Sequence, residues 1–429
     1  MTVAGTAFLT LFSQQAHDLN GAPMETEKEM SNSPNLKSAD LVVIGGGIIG
    51  CWTALHLARA GKQVCVVEKA EIAHNGSGRN RGNLRVQLRE AVERDLINRS
   101  LVLWQDFEES ARTTVEYRVT GNLLVSYDET LTADFQIEVD RHRAIGLDAH
   151  IVEGAALREL VPHISPDIVA GFLTTQDGHV NGQLATWEAA RQAKLAGVRF
   201  LRGTAADLIE HDHGKVTAVQ TSGGRIATES VLVAAAGDSV RLLEPLGIKT
   251  PISLALHQIL VTEKLPFVTG PYLRCASPRI SFCQTASGTL LLGLGPASDI
   301  APDAPQRVEP SKIEAISRET IRLVPALKNA HIVRSWSGLF DLTPDGRAMI
   351  GPAEHVSGLW IATGFNGHGM AIAPSVTESL AQAILGETPT VSLDPFAPVR
   401  FERPLDIEAS DEPVSRVGHL GNLVAPPIQ

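Results

Sequence analysis

The sequence predicts an α/β protein with a Rossmann-like dinucleotide-binding domain built from discontinuous segments and a second domain of mixed or antiparallel sheet with helices. Three observations carry this. Residues 40–68, ADLVVIGGGIIGCWTALHLARAGKQVCVVEK with its flank, read as strand, glycine turn, helix and second strand. The 429-residue length exceeds what one core usually supports and allows a domain made of separated segments. Between 251 and 295 short apolar runs follow one another without intervening helices, as antiparallel strands do.

The opening unit is dictated residue by residue. Residues 41–44 are a continuous apolar run, as a parallel strand buried on both faces requires. Gly45 permits the tight turn, Gly47 lets backbone approach a pyrophosphate, and Gly50 lets the helix pack close to the strand, in the spacing G-x-G-x-x-G. The helix, from Ile48 to about residue 60, points free N–H groups and partial positive charge at the phosphates. Gly61 stops it, and residues 64–67 form the second strand. Glu68 closes that strand eighteen residues after Gly50, where a carboxylate can accept hydrogen bonds from ribose hydroxyls; Lys69 follows it.

Residues 70–89 are too rich in Gly, Asn and Arg for core and rich in donors for a ligand's far end, with Ser77, Arg79, Asn80, Gly82 and Asn83 as candidates. Helical spacing follows over 89–112 and 131–145, with strand character at 117–127 between them. The D-G-H-V-N turn at 177–181 leads into a helix over 184–196 and a strand at 198–201. Short strands are expected at 206–210, 216–221 and 230–236. Ala206, a candidate cofactor contact, opens the first, and Gly237, just past the last, marks a second point of close backbone approach or a simple strand-to-loop turn. Residues 251–263 and 280–295 read as strands and 310–323 as a helix. A turn at 343–346 and a strand at 359–362 precede the loop Gly364, Phe365, Asn366, Gly367, His368, Gly369, with Met370 after it, which feeds a helix from about 374. From its residues alone this loop is either a turn or a ligand contact. Residues 1–39 read as a loosely ordered leader and those beyond 386 as a surface tail.

Composition narrows the function. A formal net charge of −11 without a dense Lys/Arg block argues against nucleic acid as a partner. No apolar run reaches the roughly 18 residues of a membrane span, and residues 7–12 are too short and lack the basic flank of a secretory signal, so the cytoplasm is expected. Cys51, Cys65, Cys275 and Cys283 are too few for a disulfide scaffold and read as buried thiols; no metal site is expected, His211 and His213 reading as a solvated hairpin tip.

Taken together, VVIGGGIIG with Glu68, GSGRNRGNLR, the D-G-H-V-N turn and TPDGRAMIG followed by GLWIATGFNGHGM resemble the D-amino-acid oxidase and sarcosine oxidase superfamily. Within it the chain looks most like the beta subunits of heteromeric sarcosine, opine and hydroxyproline oxidising enzymes. The likeness spans residues 40–390. It implies an FAD-binding domain, expected at 40–112, 176–248 and 337–390, and a substrate domain at 113–175 and 249–336, with 391–429 as tail. It also implies removal of a hydride from the carbon next to an amine, leaving an imine that water opens. The helix after the 364–369 loop would then face the flavin with its amino terminus.

The resemblance assigns roles and marks departures. Arg85 matches an arginine suited to bidentate carboxylate binding, against the alternative of a structural ion pair. His257 and His368 are candidates for base or polariser, His257 being as readily a packed strand histidine. Gly338 is a candidate flavin contact and aligns with the cysteine that tethers FAD in monomeric sarcosine oxidases; Asn80 aligns with the tethering histidine of dimethylglycine dehydrogenases. FAD is therefore expected to be held non-covalently. A lysine that favours oxygen as acceptor aligns with Leu291, and one that grips the substrate carboxylate with Ala371. A dehydrogenase acting on a secondary amine or amino acid follows, passing electrons to a partner subunit or carrier. The alternatives are an oxygen-using amine oxidase and an electron-relaying FAD subunit. A nicotinamide-linked enzyme is disfavoured because no second G-x-G-x-x-G occurs.

Overall fold

The computed structural model describes residues 36–295, 298–300 and 306–402. The leader expected up to residue 39 lies outside the described residues as far as 35, as do the 7–12 segment and the tail from 403 onward.

The opening motif begins a six-stranded sheet in the order Met349–Pro352, Leu359–Thr363, Val231–Val233, Leu41–Ile44, Val64–Glu68, Arg199–Arg202. All neighbours are parallel except the Met349–Pro352 edge. Leu41–Ile44 is paired on both sides and all four residues are buried, which is why the run has no polar member. Helix Ile48–Arg59 packs against both Gly182–Leu195 and Gly369–Ile384, and Arg94–Ser110 against the latter. Trp52 lies with its ring 5.2 Å from Trp104 and 4.3 Å from Phe107, a buried aromatic cluster between the first of these helices and Arg94–Ser110. A three-stranded antiparallel meander, Ala206–Asp212, Lys215–Thr221, Gly224–Ala227, is inserted before Val231–Val233.

The second large sheet is mixed. Ser253–Thr262 runs antiparallel to Ile332–Leu342 over its whole length, and on its other side to Leu290–Leu294. Ile280–Gln284, Tyr272–Cys275, Asn122–Val125, Ala170–Thr174 and Ala149–Glu153 continue the sheet, with Tyr272–Cys275 and Asn122–Val125 parallel. Strand alternation divides its residues between two unlike faces. Leu123, Leu260, Leu273, Phe282, Leu290 and Leu292 belong to one apolar cluster with Ile316 and Leu323 of helix Pro310–Leu323. Residues of the opposite parity, His257, Ile259, Tyr272, Arg274 and Ser281, line a cavity.

Several elements differ from expectation for definable reasons. The last helix begins at Gly369 rather than about 374 and carries Pro374 inside it. Proline removes one helical hydrogen bond, at a cost of about 3 kcal/mol. Every residue from Met370 to Thr377 is buried, and that packing outweighs it. The run at 280–295 is two strands, Ile280–Gln284 and Leu290–Leu294, turned at Gly288, whose φ is +89°. The helix expected over 131–145 is broken at Asp134 into Glu129–Ala133 and Phe135–Ala144. Strand Ile332–Leu342 runs across the boundary expected between 336 and 337. The stretch read as surface tail is packed as far as it is described: Leu393, Phe396 and Phe401 are buried, and Arg400 grips Asp345 through Nε at 2.7 Å and Nη2 at 3.2 Å.

Candidate active site

The turn at Gly45 is a site made of backbone. Gly45 has φ +117°, and a Cβ there would meet the Ala234 carbonyl oxygen at 2.3 Å; a Cβ on Gly50 would meet the Gly45 oxygen at 2.0 Å. Both contacts are with backbone that cannot yield, so these positions admit only glycine. Gly47 differs. A Cβ there would press on the Ser77 hydroxyl at 3.0 Å and find nothing else within 4 Å, so apart from that hydroxyl this side of the turn is open. Gly47 caps the helix without a side chain, and the Ser77 hydroxyl accepts from the Ile48 N–H at 3.0 Å. Glu68 accepts from Gly46 N–H at 2.7 Å and Ala70 N–H at 2.8 Å, which fixes its carboxylate against the turn. An open turn over a helix amino terminus, with a carboxylate held one strand away, fits the diphosphate and ribose of FAD.

Around this cradle, Lys69 is ion-paired with Asp238. Ala206 follows soon after Thr204, whose N–H donates to the Glu68 carbonyl, and its own carbonyl is held by Arg241 at 2.8 Å. Gly237 meets the second sheet: a Cβ there would lie 2.5 Å from Leu254 Cδ2. Its glycine is therefore set by sheet packing.

The loop from 76 to 89 shapes the cavity. Asn80 uses its whole amide within the loop, donating to the Gly76 and Ser77 carbonyls at 2.9 and 2.8 Å and accepting from Gly82 N–H at 2.7 Å. Gly82 has φ +66° and would place a Cβ 1.7 Å from the Val180 oxygen. Asn83 accepts from Asn122 at 3.2 Å. Arg79 donates to the His74 carbonyl at 2.7 Å, and Gly338 is glycine because a Cβ there would meet Arg79 at 3.0 Å. The 364–370 loop is knotted to the T-P-D turn: Asp341 accepts from Gly364 N–H at 2.7 Å, and Asn366, with φ +53°, accepts from Thr343 N–H at 2.9 Å and donates to the Gly364 carbonyl at 2.6 Å.

Between these loops and the polar face of the second sheet lies a cavity of about 180 Å³. Arg85 lines it, buried, with its guanidinium on the Gln87 carbonyl. Asp177, from the D-G-H-V-N turn, accepts from Val86 N–H at 2.6 Å and from the Thr174 hydroxyl at 2.6 Å, and so holds the backbone that carries Arg85. Burial raises the Asp177 carboxyl, against Thr174, Val86 and Arg85, which lower it. Burial, then Arg89 and Arg274, push Arg85 well below the usual guanidinium range, and burial with Arg89 brings Arg274 to about 10. Both stay charged at neutral pH.

The two histidines are neutral there. His368 Nδ1 lies 3.2 Å from Glu93 Oε1, both buried. Burial, with Arg89, takes His368 down to about 4 although Glu93 favours its charged form. Burial would raise Glu93, but His368, then Arg89 and Arg85, outweigh it and hold it at about 2. An ionised Glu93 fixes the proton of His368 on Nδ1, leaving Nε2 an acceptor. His257 is stacked on Phe340 with rings 5.2 Å apart, and burial, then Arg81, lower it well below the usual imidazole range; its Nε2 is buried without a hydrogen-bond partner.

The structure thus separates the predicted residues into two groups. Arg79, Asn80, Gly82, Asn83, Arg85, His257, Gly338, Asn366, Gly367, His368 and Met370 line the cavity, and the residues around Gly45 and Glu68 form the cradle; Gly364 and Gly369 are not among the lining residues. Sequence reading missed Arg81, Arg89, Arg274, Arg279 and Tyr272, which also line the cavity, and Asp177 and Glu93 behind it. The four-residue spacing of Arg81, Arg85 and Arg89 was the available signal. The four cysteines are buried and free. His211 ends up on the hairpin strand Ala206–Asp212, with His213 in its turn at φ +47°. Among the described residues no helix is long and apolar enough to cross a membrane.

Comparisons with known proteins give the family. A sarcosine oxidase beta subunit of Rhizobium meliloti (strain 1021) is 27% identical over 372 residues, covering 85% of this chain and 88% of that protein. The mitochondrial dimethylglycine dehydrogenase of Rattus norvegicus is 26% identical over 416 residues, and the match covers 90% of this chain but 48% of that longer protein. The crystal structure of L-proline dehydrogenase from P. horikoshii superposes with a TM-score of 0.80 at 28% identity, covering 86% of this chain and 98% of that one. The DAO family model, FAD dependent oxidoreductase, matches residues 40–383. The chain belongs to the DAO family of FAD-dependent oxidoreductases.

Proposed function

We propose that the chain oxidises a carbon–nitrogen bond in a secondary amine or amino acid bearing a carboxylate. The observation that carries this reading is the cationic cavity, with Arg85 as its buried carboxylate anchor. When bound, FAD supplies a two-electron acceptor for the hydride. The chain's residues do the rest. A cluster of guanidiniums binds the carboxylate and disfavours a substrate ammonium, and only the neutral amine has the lone pair that drives hydride release. His368 Nε2, an acceptor of depressed basicity, orients an N–H rather than holding a proton. The imine formed is opened by water to a carbonyl and an amine.

The Gly45–Gly50 turn, Ser77 and Glu68 hold the dinucleotide, and the 76–83 and 364–370 loops hold its flavin end. The attachment is non-covalent: Asn80 has its amide committed within its own loop, and Gly338 lacks room for a side chain beside Arg79. Electrons pass to a partner subunit or carrier, since Leu291 adds no charge for oxygen, and four free buried thiols suit the reducing cytoplasm. An oxidase is the second reading, favoured by Arg81. A Cβ at Gly293, two residues from Leu291 on the same strand, would touch its Nη1 at 2.7 Å. The test is anaerobic bleaching of the purified yellow protein by a panel of N-alkyl and D-amino acids, with release of FAD into the supernatant on acid precipitation. No bleaching by any amine points to the electron-relaying subunit instead, and flavin retained in the pellet overturns non-covalent binding.

A further inference from the structure

We propose that His142, which does not line the cavity, is a positioning residue for it: its neutral imidazole locks the turn at Leu88 that sets Arg85 and Arg89 in the cavity wall, and protonation unlocks it. The proposal rests on the amine-oxidising reading above, in which Arg85 anchors a carboxylate. Its basis is a backbone conformation that needs a holder. Leu88 is buried and has φ +57°, a left-handed conformation unfavourable for a bulky side chain, in a turn that belongs to no helix. The turn folds the chain back on itself: Arg89 Nε donates to the Arg85 carbonyl at 3.1 Å, the Arg85 guanidinium donates to the Gln87 carbonyl, and both arginines line the cavity. Three consecutive backbone donors in it are taken by side chains from elsewhere. Asp177 accepts from Val86 N–H at 2.6 Å and Gln87 N–H at 3.4 Å, and His142 Nε2 accepts from Leu88 N–H at 3.0 Å.

The tautomer is set by the histidine's own helix. In Phe135–Ala144, His142 Nδ1 donates to the Glu138 carbonyl at 2.6 Å, which leaves Nε2 as the acceptor. An imidazolium would carry N–H on both nitrogens and set a donor against the Leu88 N–H. Both groups are buried, and Phe172 stands edge-on to the ring with centroids 5.0 Å apart, so a displaced N–H finds no water to replace the bond. The charged groups acting on the ring are Glu138, with Oε2 3.8 Å from Nδ1, and Arg141 on its own helix, and Arg94 on Arg94–Ser110. Strands Ala149–Glu153 and Ala170–Thr174 meet the helix with Ala149, Ile151 and Phe172, which do not titrate, and the arginines of the turn line the cavity. Burial, the largest influence, lowers His142 from the ordinary histidine value of 6.5 although Glu138 favours the cation. The lock is therefore closed at neutral pH and lost as pH falls below that value. Arg85 keeps its charge there and loses its placement.

The test uses the FAD-loaded full chain with His142→Gln and His142→Leu. Glutamine offers an oxygen at the reach of Nε2 and does not titrate; leucine offers no acceptor. Hydrogen exchange of the 85–89 amides at neutral pH should be equally slow in the unmodified and His142→Gln proteins and roughly tenfold faster in His142→Leu, the worth of one hydrogen bond. With an amine that bleaches the flavin, His142→Leu should raise KM by roughly tenfold and leave kcat within about twofold, and His142→Gln should restore KM. Propionate, a carboxylate without an amine, is followed by its perturbation of the flavin spectrum. Its dissociation constant in the unmodified chain, divided by that in His142→Gln so that the ligand's own titration cancels, should be close to unity at neutral pH and grow to roughly threefold or more as pH falls toward about 5. A ratio flat with pH overturns the proposal, as does a His142→Leu protein with unchanged exchange and KM. If His142→Leu does not fold, the propionate ratio decides. No bleaching by any amine and no perturbation by propionate would sink the amine-oxidising reading, and the exchange rates would still judge the lock.

Discussion

The cradle and the cavity are built on opposite principles. The cradle works through backbone: at Gly45 and Gly50 a Cβ would strike a carbonyl, at Gly47 it would meet only the Ser77 hydroxyl, and Glu68 is held by two N–H groups. All of it but Ser77 falls within one stretch of chain from 45 to 70. The cavity is lined by residues gathered from the 76–89 loop, five strands of the second sheet including Ile332–Leu342, and the 364–370 loop. The first kind of site breaks when an atom is added. The second breaks when a charge is removed.

The largest effect should come from Gly50→Val. Its Cβ would lie 2.0 Å from the Gly45 oxygen and 3.1 Å from Val43 Cγ1, so the helix must leave the strand. Loss of soluble folded protein is expected, since overpacking typically costs about 1–3 kcal/mol and here the clash is with backbone. Gly47→Val sharpens the contrast. The protein should stay folded, because a Cβ there meets only Ser77 Oγ, yet lose FAD. Circular dichroism with flavin absorbance separates the two, and a Gly47→Val protein that keeps its flavin would remove the cradle assignment.

On the cavity side, Arg85→Met should raise KM by roughly 100-fold with FAD retained, as expected for a lost charged contact. Asp177→Asn should have a smaller effect in the same direction, about tenfold, because it loosens the backbone under Arg85 and leaves the guanidinium in place. Equal losses in kcat with unchanged KM would break this ordering.

This contrast also explains what could be read from the chain. The cradle was legible because its determinants are consecutive and its rule is steric, so G-x-G-x-x-G with Glu68 placed both strands, the turn and the helix to within about a residue. Helix Pro310–Leu323 was legible for the same reason, its spacing being local. The cavity was not. Arg274 and Tyr272 join the site only because strand parity turns them away from Leu273, and that parity is set by pairings between distant segments; Arg279 enters from the residue just before strand Ile280–Gln284. Asn366 and Asn80, read as ligand contacts, line the cavity while their side-chain amides tie the 364–370 loop to Thr343 and shape the 76–82 loop, partners that spacing alone does not reveal. Pro374 misplaced the start of the last helix because burial, a tertiary effect, overrode its local preference.

Acid should reveal the buried titratable groups on both sides. His56, His179 and His368 are held at about 4, chiefly by burial, so between the ordinary histidine value of 6.5 and about 4 the unfolded chain binds protons that the folded chain does not. Stability therefore falls as pH falls through that window. Glu93, held at about 2, contributes stability that is present above 4.5 and lost toward 2. The thermal midpoint of the flavin-free protein should drop steadily from about pH 7 to pH 4, and a flat profile there would mean these histidines are not buried neutral.

The smallest effect expected is at Leu291, and it bears on the electron acceptor. Leu290 and Leu292 belong to the apolar cluster of the second sheet, so Leu291 takes the parity of Gly293, the side on which Arg81 and His257 lie. Oxygen accepts its first electron more readily where a positive charge stabilises superoxide. If the acceptor is a partner subunit, the reduced protein should reoxidise in aerated buffer no faster than free reduced FAD, and Leu291→Lys should speed it by roughly tenfold or less, one added charge in a site that already holds several. Arg81 makes the effect small, because its guanidinium, fixed on Ser281, already sits beside that strand. Fast reoxidation of the unmodified chain, slowed by Arg81→Leu and indifferent to Leu291→Lys, would reverse the acceptor assignment and make Arg81 the charge that serves oxygen.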